Sequence, residues 1–99
     1  MVKLLRKPTT PGEILRDEFL IPLGLTQKQL ADHIGIDLKV INRIVKERSG
    51  VSAVVAVKLA HALRTTPEFW LTAQMTVDIF RAQGALALVP SPLVSRRSQ

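Results

Sequence analysis

The chain has 99 residues, 46% of them hydrophobic, which is enough for one compact domain whose modest core would gain stability from a partner. It contains no cysteine, and this excludes disulfides, thiolate metal sites and cysteine nucleophiles. No apolar run approaches the roughly 20 residues of a membrane span, and the first residues do not form the apolar segment of a signal peptide, so we expect a cytoplasmic protein with no membrane partner.

The formal net charge of +6 suggests a nucleic-acid partner, but its distribution qualifies that suggestion. Five of the 14 lysines and arginines lie near the two ends of the chain, at Lys3, Arg6, Lys7, Arg96 and Arg97. The remaining nine are matched by eight acidic residues, so the body of the chain is nearly neutral. A local cluster of lysines and arginines is therefore a better indicator of a nucleic-acid surface than the net charge of the whole chain.

Residues 1–9 are basic and contain Pro8, and we expect them to form a poorly ordered N-terminal arm. The first helix is predicted to begin at Thr10, because Thr10 and Glu13 have the spacing of a capping box and Pro11 takes the first helical position. Its predicted core residues are Ile14, Leu15 and Phe19.

The first helix also carries an acidic cluster, Glu13, Asp17 and Glu18. Acidic residues early in a helix compensate its dipole, and this is the ordinary explanation. A contact surface for a basic protein partner is the alternative.

Residues 26–48 have the spacing of a helix-turn-helix. Thr26 and Gln29 form a second capping box, and Gly35 provides the positive φ at which a helix ends abruptly. Asp37 is the expected N-cap of the third helix. The apolar residues that would fix the two helices are Leu30, Ala31, Ile34, Ile41, Ile44 and Val45.

The outer face of the third helix is predicted to carry Lys39, Asn42, Arg43 and Lys46, which cluster at about 100° per residue. Such a face suits the major groove of DNA. Arg43 would read guanine and Asn42 adenine, whereas the two lysines would neutralise phosphates. The predicted DNA-binding set also includes Gln27, Lys28 and Arg48. A plain helical hairpin with a solvated face is the alternative.

Ser52 is the expected cap of a fourth helix with an alanine-rich buried face: Ala53, Ala56, Leu59, Ala60 and Leu63. Thr66 and Pro67 start a fifth helix that is predicted to end near residue 83. This helix has two apolar sides, and a monomer needs only one. The inner side would be Phe69, Ala73, Val77 and Phe80. The outer side, for a homodimer interface, would be Leu71, Met75, Ile79 and Ala82. Trp70 lies between them.

From Gly84 to residue 99 helical periodicity is lost, and we expect a flexible C-terminal tail. The alternative is that Leu86, Leu88 and Val89 lay a short segment on a partner. The chain is thus divided into an arm (1–9), a DNA-binding domain with a dimerising fifth helix (10–83) and a tail (84–99).

Three stretches together resemble a known family. The segment TPGEIL, the helix-turn-helix and TTPEFWLTAQ are similar to the HigA-type, or VapI-like, antitoxins of the Xre helix-turn-helix superfamily, over about residues 8–83. The family's usual His before Pro-Gly-Glu is Thr10 here. Its usual Asn-Leu-Gln after Phe-Trp-Leu is Thr72-Ala73-Gln74. Neither difference affects the reading helix.

The resemblance implies an all-α, five-helix, lambda-repressor-like fold without a cofactor. It also implies a dimeric repressor that binds double-stranded operator DNA at two half-sites and neutralises a RelE-like (HigB-type) toxin that cleaves mRNA on the ribosome. The reading-helix positions of the family correspond to Lys39, Asn42, Arg43 and Lys46, with Gln27 at the start of the second helix.

The sequence is also compatible with two other functions. The protein could be a stand-alone Xre-type transcriptional regulator, or it could inhibit a toxin without reading DNA specifically, which Asp37 at the tip of the reading helix would favour. An enzyme is disfavoured, because two isolated histidines, no cysteine and no phosphate-binding loop leave no catalytic constellation, no metal site and no small-molecule substrate.

Overall fold

Five helices account for the regular structure of residues 7–86 and 90–94, the part of the chain that the computed structural model describes. They are α1 (residues 11–23), α2 (Gln27–Ile34), α3 (Leu38–Val45), α4 (Ala53–Leu63) and α5 (Pro67–Ala85). Within α1, a π-helical stretch at Leu15–Leu20 lies between the α-helical segments Pro11–Ile14 and Ile21–Leu23. The predicted all-α, five-helix fold is confirmed.

Side-chain caps begin all five helices, as the sequence predicts. Thr10 and Thr26 each accept a hydrogen bond from the backbone N–H three residues later, and Glu13 and Gln29 complete the two capping boxes. The three further caps are Asp37, Ser52 and Thr66. Each cap satisfies a donor that a helix start would otherwise leave unpaired.

Left-handed residues end several helices. Gly24 and Gly35 have φ values of 65° and 69°, as expected for residues without a Cβ. After α3 the left-handed residue is Glu47, with φ of 61°, and not the glycine that follows it, Gly50.

The largest fully buried side chain of the core is that of Trp70. Its ring centroid lies 5.6 Å from that of Phe19 and 5.1 Å from that of Phe69, and its Nε1 donates to Thr65 Oγ1 at 2.7 Å. The other large, fully buried side chains are Leu15, Ile41, Ile44, Leu59 and Val77. Every helix contributes to this core or packs against its rim.

The predicted faces of α4 and α5 need correction. Ala53 is exposed and Val55 is buried in its place, because the apolar composition of α4 defines no clear polar side. On α5, Phe69 is substantially exposed, although Ala73 and Val77 face inward as predicted. Leu71, assigned to the outer face, is partly buried and packs against the core, at its rim.

Gly12 brings the first turn of α1 directly against the backbone of α3. A Cβ added to Gly12 would overlap the Ile44 carbonyl oxygen and lie 2.9 Å from the Ile44 carbonyl carbon. It would also lie 3.2 Å from the Cα of Val45. Only glycine allows this approach, and the sequence patterns had assigned Gly12 no role.

The ends of the chain fall partly outside the described residues. α5 continues through Gly84 to Ala85, slightly beyond its predicted end, and residues 90–94 are exposed and non-helical. The hypotheses on residues 1–6, 87–89 and 95–99 lie outside the described part. Within that part, no helix has the length and apolar character needed to cross a membrane.

The substitution Gly12→Ala should destabilise the domain by about 3 kcal/mol or more, because the new methyl group meets backbone atoms that cannot move independently. Gly84→Ala is the matched control, since Gly84 is also helical and its added Cβ meets nothing within 4 Å. We expect Gly84→Ala to stabilise the helix by about 0.5 kcal/mol. Denaturant unfolding of the three proteins measures both effects, and equal stability of Gly12→Ala and wild type would contradict the close approach.

Candidate nucleic-acid interface

The four residues predicted for the outer face of α3 are presented by that helix as expected. Lys39, Arg43 and Lys46 are exposed, and Asn42 is half-buried at the side nearest α2. Ile41, Ile44 and Val45 are buried on the opposite side and fix the rotation of the helix. The spacing of apolar residues thus orients the cationic face.

Gln27, in the first turn of α2, contacts this face directly. The Asn42 Nδ2 amide donates to Gln27 Oε1 at 3.1 Å, so the two side chains hold each other across the helix-turn-helix. The bond uses one of the two amide hydrogens of Asn42 and leaves its Oδ1 and the second hydrogen available. An acceptor and a donor side by side match the N6 and N7 edge of adenine.

A shallow groove runs between the first turns of α2 and α3. The residues that line it are Thr26, Gln27, Lys28, Leu38, Lys39, Asn42 and Arg43. Five of them belong to the DNA-binding set predicted from the sequence. Leu38 does not belong to that set. The sequence does contain a signal for it, because Leu38 is an apolar residue at the first position of α3 that does not lie on the buried side of the helix.

The cations of this surface differ in their partners. Lys28 Nζ lies 2.8 Å from Asp32 Oδ2, one turn along α2, and both side chains are well exposed. An exposed pair of this kind contributes about 0 to 1 kcal/mol, so Lys28 can exchange its partner for a phosphate at little cost. Arg43, Lys39 and Lys46 form no ion pair with any residue in the described part of the chain.

Asp37 is an anion directly before α3, and its carboxylate caps that helix. Its Oδ1 accepts from the backbone N–H of Lys39 at 2.7 Å. The negative charge is therefore directed at the positive end of the α3 dipole. Asp37 therefore no longer favours the alternative in which the protein inhibits a toxin without reading DNA specifically.

Glu47, the second anion beside α3, is directed toward other cations. Its Oε1 accepts from Lys7 Nζ at 3.1 Å and lies 4.0 Å from the Arg81 guanidinium of α5. Lys7 of the predicted arm thus contacts the turn after α3. The pairing partly neutralises Glu47. Its negative charge therefore reduces the positive electrostatic potential of the neighbouring lysines and arginines to a smaller extent.

Two further side chains stabilise the turns before and after α3, and the sequence patterns missed both. Lys58 donates from Nζ to the Gly35 carbonyl oxygen at 3.4 Å and so contacts the end of α2. Gln74 of α5 accepts from the Val51 N–H at 3.0 Å. Both contacts join residues 23 positions apart, which no local pattern reveals.

The acidic cluster of α1 is largely engaged within the chain. Glu13 accepts from the Thr10 N–H at 3.0 Å, and Asp17 binds the Arg16 guanidinium at 2.7 Å. The hydrogen bond from Arg16 lowers the pKa of Asp17 below its ordinary value. Of the three carboxylates, only Glu18 forms no hydrogen bond or ion pair with the described residues.

The predicted outer face of α5 retains exposed apolar area. Met75 is 54% exposed and Ile79 is 41% exposed, and Ala82 is exposed beside them. Leu71 belongs to the rim of the core and adds less of its surface. Within the described residues there is no group of three side chains suited to hold a metal ion.

The helix-turn-helix of this chain is similar to that of known proteins. A family model described as "Helix-turn-helix" matches residues 15–70, which include α2, α3 and α4. Antitoxin HigA-1 of Vibrio cholerae is 44% identical over 81 residues, which cover 81% of this chain and 75% of the relative.

Two solved structures with DNA are also similar. Antitoxin HigA of Pseudomonas aeruginosa with the higBA promoter has a TM-score of 0.77 and 36% identity, and the match covers 79% of this chain and 85% of that one. Antitoxin GraA in complex with its operator has a TM-score of 0.76 and 36% identity, covering 92% and 100% of the two chains. The likeness therefore extends over nearly all the described helices.

Proposed function

Because the chain belongs to the Xre-type helix-turn-helix family, within the HigA-type antitoxins, we propose that it is a dimeric repressor of its own operon that neutralises a RelE-like toxin. The observation that carries this proposal is the outer face of α3, where Lys39, Arg43 and Lys46 are exposed beside an Asn42 amide held by Gln27. The similar structures of HigA and GraA with promoter or operator DNA support it.

In this proposal α3 enters the major groove, and its side chains bind either bases or phosphates. Arg43 forms bidentate hydrogen bonds with a guanine, and Asn42 pairs with the N6 and N7 edge of an adenine. Gln27 restrains the Asn42 amide before DNA arrives, so less side-chain entropy is lost on binding. Lys39, Lys46 and Arg48 neutralise phosphates, which gives affinity without sequence information.

The first turn of α2 supplies a second phosphate contact. Thr26 accepts from the Gln29 N–H, and the N–H groups of Gln27 and Lys28 remain at the positive end of the helix dipole. The Lys28 ammonium group adds a mobile charge there. These groups position α3 and do not read bases.

A dimer follows from the energetics of a short reading surface. One copy reads only a few base pairs, whereas two copies joined by symmetry double the contacts at a single cost in rotational and translational freedom. The exposed Met75 and Ile79 of α5, with Ala82, are the proposed interface. The two α3 helices would then meet half-sites about 10 bp apart.

The toxin contact is proposed for α1. RelE-like toxins bind RNA and are expected to be basic, which makes an acidic surface complementary to them. Glu18 and Asp17 are exposed on α1, whereas Glu13 is engaged in the capping box. Glu18 is therefore the carboxylate most available to a basic partner.

Arg43→Ala should cost about 1 to 3 kcal/mol against the operator and relax the preference for guanine at one position per half-site. Lys46→Ala is the control, because it should weaken binding to all sequences alike and lower the slope of log K against log salt by about 0.9 per phosphate. Binding to the upstream region of its own gene at two salt concentrations measures both. A uniform loss for Arg43→Ala would contradict its reading role.

Replacing Met75 and Ile79 together by glutamate should convert the dimer into monomers, because four carboxylates would be buried without partners. Val54→Glu is the control, since Val54 is 65% exposed but lies on α4. Sedimentation equilibrium gives the masses. A wild-type monomer, or a double variant that stays dimeric, would show that the outer face of α5 is not the interface.

Co-expression with a RelE-like toxin encoded beside its gene should restore growth, and the two proteins should co-purify. Asp17→Lys with Glu18→Lys should weaken this protection, whereas Glu68→Lys at the start of α5 should not. The Glu13 carboxylate is kept because its reversal would break the α1 cap. Full protection by the charge-reversed variant would show that α1 does not contact the toxin. The absence of a toxin gene beside its own gene would favour a stand-alone regulator.

A further inference from the structure

Leu38 is an apolar residue on a surface that is otherwise polar. It occupies the first position of α3, is 42% exposed, and does not belong to the core or to the residues packed against it. The cap of α3 is supplied by Asp37, so Leu38 is not needed to start the helix. The fold within the described residues therefore gives no reason for a large apolar side chain here.

The position of Leu38 is defined by its neighbours. It lines the groove between α2 and α3 together with Asn42 and Arg43, and it precedes Asn42 by four residues on the same side of the helix. Every other residue that lines the groove is polar or charged. Val40 is similarly exposed, at 37%, but it lies on the other flank of α3 and does not line the groove.

The major groove offers one apolar group to such a side chain. Guanine, adenine and cytosine carry no methyl group there, whereas thymine presents its 5-methyl group beside O4. The N-terminal residues of a recognition helix are the ones that reach base edges. An exposed leucine at this place matches thymine and no other base.

We propose that Leu38 is a specificity-determining residue that reads the 5-methyl group of a thymine within one or two base pairs of the adenine bound by Asn42. This inference rests on the proposed function, because it requires that α3 enters the major groove. It adds an apolar position to a recognition code that the sequence had assigned only to Arg43 and Asn42.

Replacement of single thymines by deoxyuridine in the operator tests the proposal, since it removes the methyl group and changes no hydrogen-bonding group. Loss of the contact should lower affinity about fourfold for one half-site and about fifteenfold for both. The adenine bound by Asn42 is located with 7-deazaadenine, which lacks the N7 acceptor. Fluorescence anisotropy measures all dissociation constants.

Three variants complete the design. Leu38→Ala should bind thymine and deoxyuridine operators equally, Leu38→Met should recover discrimination, and Val40→Ala should keep the wild-type ratio. Equal far-UV circular dichroism of the variants shows that each is folded.

The outcomes separate this proposal from the proposed function. A wild-type protein that prefers the operator to random DNA but tolerates deoxyuridine at every position would overturn the thymine contact alone. Leu38→Ala that retains the wild-type ratio would do the same. No preference for the operator at all would overturn both, and the predicted ratios confirm the contact.

Discussion

The contact between Gly12 and the Ile44 carbonyl sets the geometry on which the rest of the structure depends. Because no Cβ separates the two backbones, the first turn of α1 lies directly on α3. This contact occupies one side of α3, with Leu15 and Ile41 buried fully nearby in the core. The opposite side is left to solvent, and that side carries the cations. The proposed DNA-reading surface thus depends on a glycine that is itself buried.

The sequence predicts those features that short-range rules determine. Thr10, Thr26 and Asp37 start helices because their side chains accept from nearby N–H groups, and Gly35 ends one because it tolerates positive φ. Helical periodicity likewise predicts which residues lie on the outer face of α3. These rules involve residues within four positions of each other, and a linear sequence displays them.

Long-range contacts were not predictable in the same way. The bonds of Asn42 with Gln27 and of Val51 with Gln74 join positions 15 and 23 residues apart, and nothing local in the sequence marks these amides as partners. The predicted buried face of α4 was partly wrong for another reason. Alanine and valine contrast too weakly to define a buried side, so the choice between Ala53 and Val55 depended on packing with α2 and α5.

The turn after α3 links the reading surface to the proposed dimer surface. Glu47 adopts a left-handed conformation that costs a residue with a Cβ about 1 kcal/mol, and its carboxylate contacts Arg81 of α5. Gln74, one helical turn before Asp78 and bonded to it, holds the Val51 N–H of the following segment. Both ends of residues 47–51 are therefore attached to α5. In a dimer formed through α5, these attachments would transmit the relative orientation of the two copies to the two α3 helices. The separation of the half-sites would then depend on the turn at residues 47–51 as well as on the proposed interface.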